Sequence, residues 1–206
     1  MAFVGLTYSL FSPIKSEPEY AKVEYDGEKA VVVGKMIGAD VTFNRSSSKL
    51  HGDDAEIESD NSITGGTVTI NVDDVEEEAE VVILGTKLAT EDALAAEGEA
   101  IKVYQELGVA SPNGGFGYVR TRRKKGVTSY QAIWIHKVQL GIGTENSATK
   151  AEQVSYQTPK LTGPIMAVFN DADKMPHFRD KARFANLADA IAWVNRKGGK
   201  TTAAAA

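Results

Sequence analysis

The chain contains no cysteine, which excludes disulfides and thiolate chemistry and fits folding in a reducing cytoplasm. It also contains no apolar run near the length needed to span a bilayer. Its first residues, Met1-Ala2-Phe3-Val4-Gly5, lack the basic segment followed by an apolar core that marks a secretory signal. A soluble protein with no membrane insertion is expected. No internal repeat is visible. What the chain does have is a 42% share of hydrophobic residues across 206 positions, enough for the core of one domain. The expected layout is a single domain over residues 1–200, with an N-terminal arm and a long loop near 44–66. Residues 201–206 read as a disordered tail.

A net charge of −5 conceals a sharper division. Residues 1–110 carry 22 acidic and 8 basic side chains, a net of −14, whereas residues 111–206 carry 6 and 15, a net of +9. Such asymmetry suits a nucleic-acid or membrane partner. It equally suits a subunit that meets copies of itself head to tail, acidic surface against basic surface. The plain alternative is that the charges mix in space once the chain folds.

Hydrophobic periodicity outlines the elements. Phe3–Pro18 alternates short apolar runs with Ser, Pro and Glu and reads as an extended arm. Val31–Phe43 is strand-like, with Ile37, Ala39, Val41 and Phe43 on one face. Asn44–Gly66 is long, polar and acidic, and Thr67–Val72 returns to a strand. A helix is then expected, capped by Asp73 with Glu76 three residues on. Its apolar face is Val75, Ala79, Val82 and Ile83, and Gly85 ends it. The Ala- and Glu-rich stretch Glu91–Leu107 predicts a second helix, interrupted by Gly98. Phe116–Arg123 and Thr128–Leu140 flank a turn and predict a hairpin, with Tyr130, Ala132, Trp134, His136, Val138 and Leu140 sharing a face. Val154–Thr158 and Leu161–Phe169 follow as strands. A final helix is capped by Asn186, turns Leu187, Ala190, Ile191 and Val194 inward, and stops at Gly198.

Several stretches only approach known chemistry. Gly199-Lys200-Thr201 resembles the end of a phosphate-binding loop, but Val194 stands where the first glycine belongs and no strand precedes it. Asp60, Ser62, Thr64 and Gly65 mimic the front of a calcium loop whose twelfth position is Asn71 rather than glutamate. Gly114-Gly115-Phe116-Gly117 precedes a strand instead of following one, so it reads as a flexible lead-in to the hairpin and not a dinucleotide fingerprint. His51, His136 and His177 stand far apart with no motif around any of them, and His136 reads as a hydrogen-bonded core residue. No catalytic residue, cofactor or metal ligand is nominated. The basic run Arg120, Arg122, Arg123, Lys124 and Lys125 is the best candidate for nucleic acid, and fits an acidic neighbouring subunit equally well.

Four segments, in order, resemble the major tail protein (tail tube) family of long-tailed, siphophage-type bacteriophages. They are MAFVGLTYSLFSPI, then DDAEIESDNSITGGTVTINVDD, then GGFGYVRTRRKKGVTSYQAIWIHKVQL, and finally YQTPKLTGPIMAVF leading to ANLADAIAWVN. Residues 86–112 match least. The resemblance implies a mainly β (α+β) fold, two packed antiparallel sheets in a barrel-like sandwich with a flanking helix and long loops or arms. It implies a structural virion protein with no enzymatic activity and no cofactor, located in the phage tail after assembly in the host cytoplasm. Its partners would be itself, in stacked hexameric rings, and the tape-measure, tail-tip and tail-terminator proteins. Viral DNA would pass through an acidic lumen without specific binding. Within this picture the candidate subunit contacts are Asp53, Asp54, Glu56, Glu58 and Asp60 on the acidic loop and Arg120, Arg122, Arg123, Lys124 and Lys125 on the hairpin.

Other readings compete. The chain could be the tube of a phage-derived bacteriocin or a neck protein. A β-sandwich binding module, such as a receptor-binding tail protein, would favour exposed aromatic clusters in loops. A virion-associated hydrolase would need a nucleophile or metal motif, and none is present.

Overall fold

In this computed structural model the described residues are 2–19, 21–52, 55–92, 100–144, 158–169 and 174–201. The first elements are β1 (Ala2–Ser16), β2 (Glu24–Tyr25), β3 (Met36–Arg45), β4 (Lys49–Gly52), β5 (Ala55–Ser59) and β6 (Ile63–Val72). Helix α1 (Glu77–Leu84), β7 (Lys87–Glu91), β8 (Ile101–Gln105), β9 (Asn113–Lys124) and β10 (Val127–Gln139) follow. The remainder is β11 (Gly141–Thr144), β12 (Lys160–Met166), β13 (Val168–Phe169), β14 (Pro176–His177), β15 (Arg179–Phe184) and α2 (Leu187–Lys197). The protein is therefore mainly β. Nine strands form one antiparallel sheet ordered β2-β1-β9-β10-β12-β6-β3, with β15 also on β10 and β11 also on β12. Three two-stranded sheets, β4-β5, β7-β8 and β13-β14, complete the set among the described residues.

The centre of the sheet is the β9–β10 hairpin. Its turn, Lys125-Gly126, holds both residues at positive φ (49° and 81°), the requirement of the tight turn that matches strand twist. Opposite faces of β10 enter different cores. Ile133 and Ile135 join Phe11, Phe116, Val68 and Ile70 in the larger core, while Ala132 and Trp134 join Leu10, Val119, Ala190 and Val194 under α2. Burial on both sides explains why Ala132–Ile135 is an unbroken apolar run. The larger core forms because the sheet folds back on itself, bringing β1 into contact with β3 although they lie far apart in the pairing order.

Trp134 is accommodated by missing side chains on β9. A Cβ at Gly117 would stand 2.5 Å from Trp134 Cε3 and 2.6 Å from Val194 Cγ1, and one at Gly115 would collide with the indole edge. The glycine-rich stretch is thus not a flexible lead-in. It is a fully buried part of β9 over which the indole is laid.

Several expectations are corrected. Residues 2–16 are extended, but as the integral strand β1, paired along its length with β9 and bulged near Val4 and Thr7; Leu10 and Phe11 are core residues. A bulge near Ile37 turns that side chain outward, 59% exposed, and Met36 takes its place against the core with Ala39, Val41 and Phe43. A second bulge, at His136-Lys137, moves Val138 and Leu140 into the larger core, away from the face of Trp134. Helix α1 starts later than its acidic signal predicts. Glu76 is the N-cap residue without a side-chain cap, because Asp73 accepts hydrogen bonds from the Lys35 and Asp74 amides instead. Gly85 does end it, in the left-handed region. Glu91–Leu107 is not helical where described: Lys87–Glu91 pairs with Ile101–Gln105 as strands. The strand expected at Val154–Thr158 lies outside the described residues up to 157, as does the tail from 202. No helix among the described residues is long and apolar enough to cross a membrane.

Helix α2 follows its prediction. Asn186 accepts the Asp189 amide at 2.8 Å, and Leu187, Ala190, Ile191 and Val194 face the sheet. Two hydrogen bonds seam it to β1: Tyr8 Oη donates to Asn195 Oδ1 (2.7 Å) and Ser12 Oγ to the Gly198 carbonyl (2.8 Å).

Candidate assembly surfaces

Neighbouring residues on a strand point to opposite faces, so the basic run on β9 is divided by its own geometry. Arg120 and Arg122 lie on the same face as Tyr118. Arg120 donates through Nε and Nη2 to Gln131 Oε1 (3.0 and 2.8 Å), and its guanidinium sits 3.6 Å from the centre of the Phe3 ring. Arg122 is only 7% exposed. These two are packed side chains set back from the hairpin turn. Arg123, Lys124 and Lys125 are exposed there.

The acidic segment is more ordered than a loop. β4 pairs with β5, and the ladder of β3 and β6 runs into them through Ser46 N to Ser62 O and Asp60 N to Ser48 O, both 2.8 Å. The result is a two-stranded arm continuing the β3–β6 hairpin. Asp60 is exposed at its base. Hydrogen bonds from the Ser62 amide and the Ser46 and Ser62 hydroxyls hold its carboxyl below the usual range. That is the structural turn which the calcium-like spacing disguised. Glu56 and Glu58 belong to β5, while Asp53 and Asp54 lie outside the described residues.

A second basic strand was missed. β15 pairs with β10 so that Arg179, Lys181 and Arg183 stand opposite Ile135, Ile133 and Gln131, on the face that carries Arg120. The Arg179 guanidinium lies 4.6 Å from the Phe43 ring centre. Burial lowers the pKa of Arg120, Arg179 and Lys181, and neighbouring cations lower each further. Lys181 and Arg183 are exposed. The signal was present in the sequence as a cation at every second position from 179 to 183.

The opposite face of β15 contributes to a cleft of about 490 Å³ lined by Tyr25, Trp134, His136, His177, Asp180 and Lys197 among others. Here the fold does bring two histidines together, with ring centres 6.4 Å apart and nearly perpendicular. Asp180 sits between His136 Nε2 (3.2 Å) and Lys197 Nζ (2.5 Å), and those contacts, His136 first, hold its carboxyl well below the usual range. A carboxylate committed to two partners is a poor proton acceptor. It clamps α2 to the sheet. Among the described residues no serine, threonine or cysteine lines the cleft, and no group of three metal-ligating side chains occurs.

Among the described residues four strands of the large sheet have a single partner: β2 on β1, β3 on β6, β11 on β12 and β15 on β10. No protein-family model matches this chain, and no curated protein matches it either.

Proposed function

We propose that the chain is a structural subunit that assembles with copies of itself, and specifically a tail tube protein whose hexameric rings stack around a channel for phage DNA. In this reading the folded-back sheet is the barrel-like sandwich of the tube fold, and α2 is its flanking helix. The observation that carries it is the set of strands that have a single partner in the large sheet among the described residues, β3 at one end of the order and β15 beside β10 the longest of them. An unpaired edge exposes backbone donors and acceptors that another copy can satisfy. The two-stranded acidic arm and the split in charge supply a second, directional contact, and the four resembling segments supply the family.

The outer face of β3, β6 and β12 suits a channel lining. It presents Thr42, Thr67, Thr69, Asn71 and Thr162 with one carboxylate, Asp40, and one cation, Lys160. A surface so poor in cations gives passing phosphates little to bind.

Negative-stain electron microscopy of purified protein across concentration and salt tests the proposal. Hollow sixfold rings or tubes are the expected result, and monomers at every concentration would overturn it. A binding module is the second reading, favoured by the aromatic cleft beside exposed Phe169 and Met175. Monomers that capture a surface polymer through that cleft would move it to the front.

A further inference from the structure

We propose that Arg120, Arg179, Lys181 and Arg183 form the docking surface for the acidic arm, residues 53–60, of a second copy of this chain. The inference rests on the assembly reading above and names the contact that reading leaves unassigned. Two strands, β9 and β15, place these cations on one face of the sheet with β10 between them. Among the described residues no salt bridge joins any of them to a carboxylate. Arg120, Arg179 and Lys181 lie close enough to repel one another, and an incoming anionic segment relieves that repulsion. The chain itself supplies the anions: Asp53, Asp54, Glu56, Glu58 and Asp60 fall within eight residues of the arm, whereas the other acidic run, Asp73–Glu80, belongs to the start of α1.

Geometry favours a contact between copies. The arm leaves as a continuation of the β3–β6 hairpin. Among the described residues β15, which carries three of the four cations, pairs only with β10, so an arm strand lying along its other side would gain backbone pairing as well as charge. The contact is heterologous, arm to face, and therefore repeats from copy to copy instead of closing a pair. Nucleic acid is the less favoured occupant, because the rings on this cation row, Phe3 at Arg120 and Phe43 at Arg179, are already covered by guanidinium groups and leave bases little to stack on.

The test uses the full chain throughout. Zero-length carbodiimide cross-linking of a mixture of isotopically light and heavy protein should join Lys181 to a carboxylate within residues 53–60, between light and heavy copies. The double reversal Lys181→Glu with Arg183→Glu should raise the concentration needed for assembly roughly tenfold or more, as should Glu56→Lys with Glu58→Lys. Combining all four substitutions should restore it. If the wild type assembles and both double reversals assemble at the same concentration and salt, this docking surface is wrong while the assembly reading stands. Cross-links only within one copy, or to other carboxylates, also overturn it. So does duplex DNA binding that is lost in Lys181→Glu with Arg183→Glu while assembly is unchanged. A wild type that stays monomeric and yields no link between copies overturns both readings.

Discussion

The two faces of the β9–β10–β15 layer are built from the same strands and finished differently. The face under α2 is sealed from within. Trp134 fills it, glycines on β9 make room, and Asn186, Asp180 and Ser12 fix the helix in place. The other face is sealed by Phe116, Ile133 and Ile135 at one end and left to Arg120, Lys181 and Arg183 at the other. A sheet face closed by the chain's own helix reports on folding. One that ends in exposed cations reports on what the molecule meets.

Breaking the sealed face should therefore cost stability first. Trp134→Ala should lose about 3–5 kcal/mol in urea or thermal unfolding, because it empties the centre of the smaller core. Gly117→Ala should lose about 1–3 kcal/mol by pushing a methyl into the indole and Val194. The effect should shrink when Trp134 is also made smaller, as a double-mutant cycle would register. Asp180 gives a pH signature. Its folded-state pKa is depressed, so its contribution is complete above the ordinary carboxylate value of about 4 and is lost as pH falls below it. Asp180→Asn should lower stability at pH 7 and reduce the further loss between pH 5 and pH 3; an unchanged acid limb would show that the clamp is not stabilising. On the open face, Lys181→Ala with Arg183→Ala should change unfolding by no more than about 0.5 kcal/mol. A large loss there would mean that the cations support the fold after all, and the contrast between the faces would fail.

The features legible in the sequence were those with local causes. The Lys125-Gly126 turn sits between two β-rich runs, and α2 carries its cap, its apolar stripe and its glycine stop within thirteen residues. Bulges were invisible, since nothing in the residues near Ile37 or His136 announces an extra residue in one strand of a pair. Pairing between distant segments also overrode local preference. Glu91 and Ile101–Leu107 sit in a stretch of helix-favouring composition, yet Glu91 and Ile101–Gln105 are held as strands by β7 and β8. The basic run was recognised as a surface, but strand alternation splits it, and only the fold could add Arg179, Lys181 and Arg183 from 60 residues away. The histidine and aspartate clamp depends on the same long-range pairing.

The seam between β1 and α2 sets a schedule. Tyr8 and Ser12 leave the ribosome long before Asn195 and Gly198, which they bind, and β1 waits for β9 before it has a neighbour on that side. Contacts of such sequence separation form late. The edge of β15 and the face it carries thus come into being only when nearly the whole chain has been made. In the assembly proposed above, a half-synthesised subunit would have no finished surface to offer a growing polymer, so the seam would work as quality control over which molecules are ready to join.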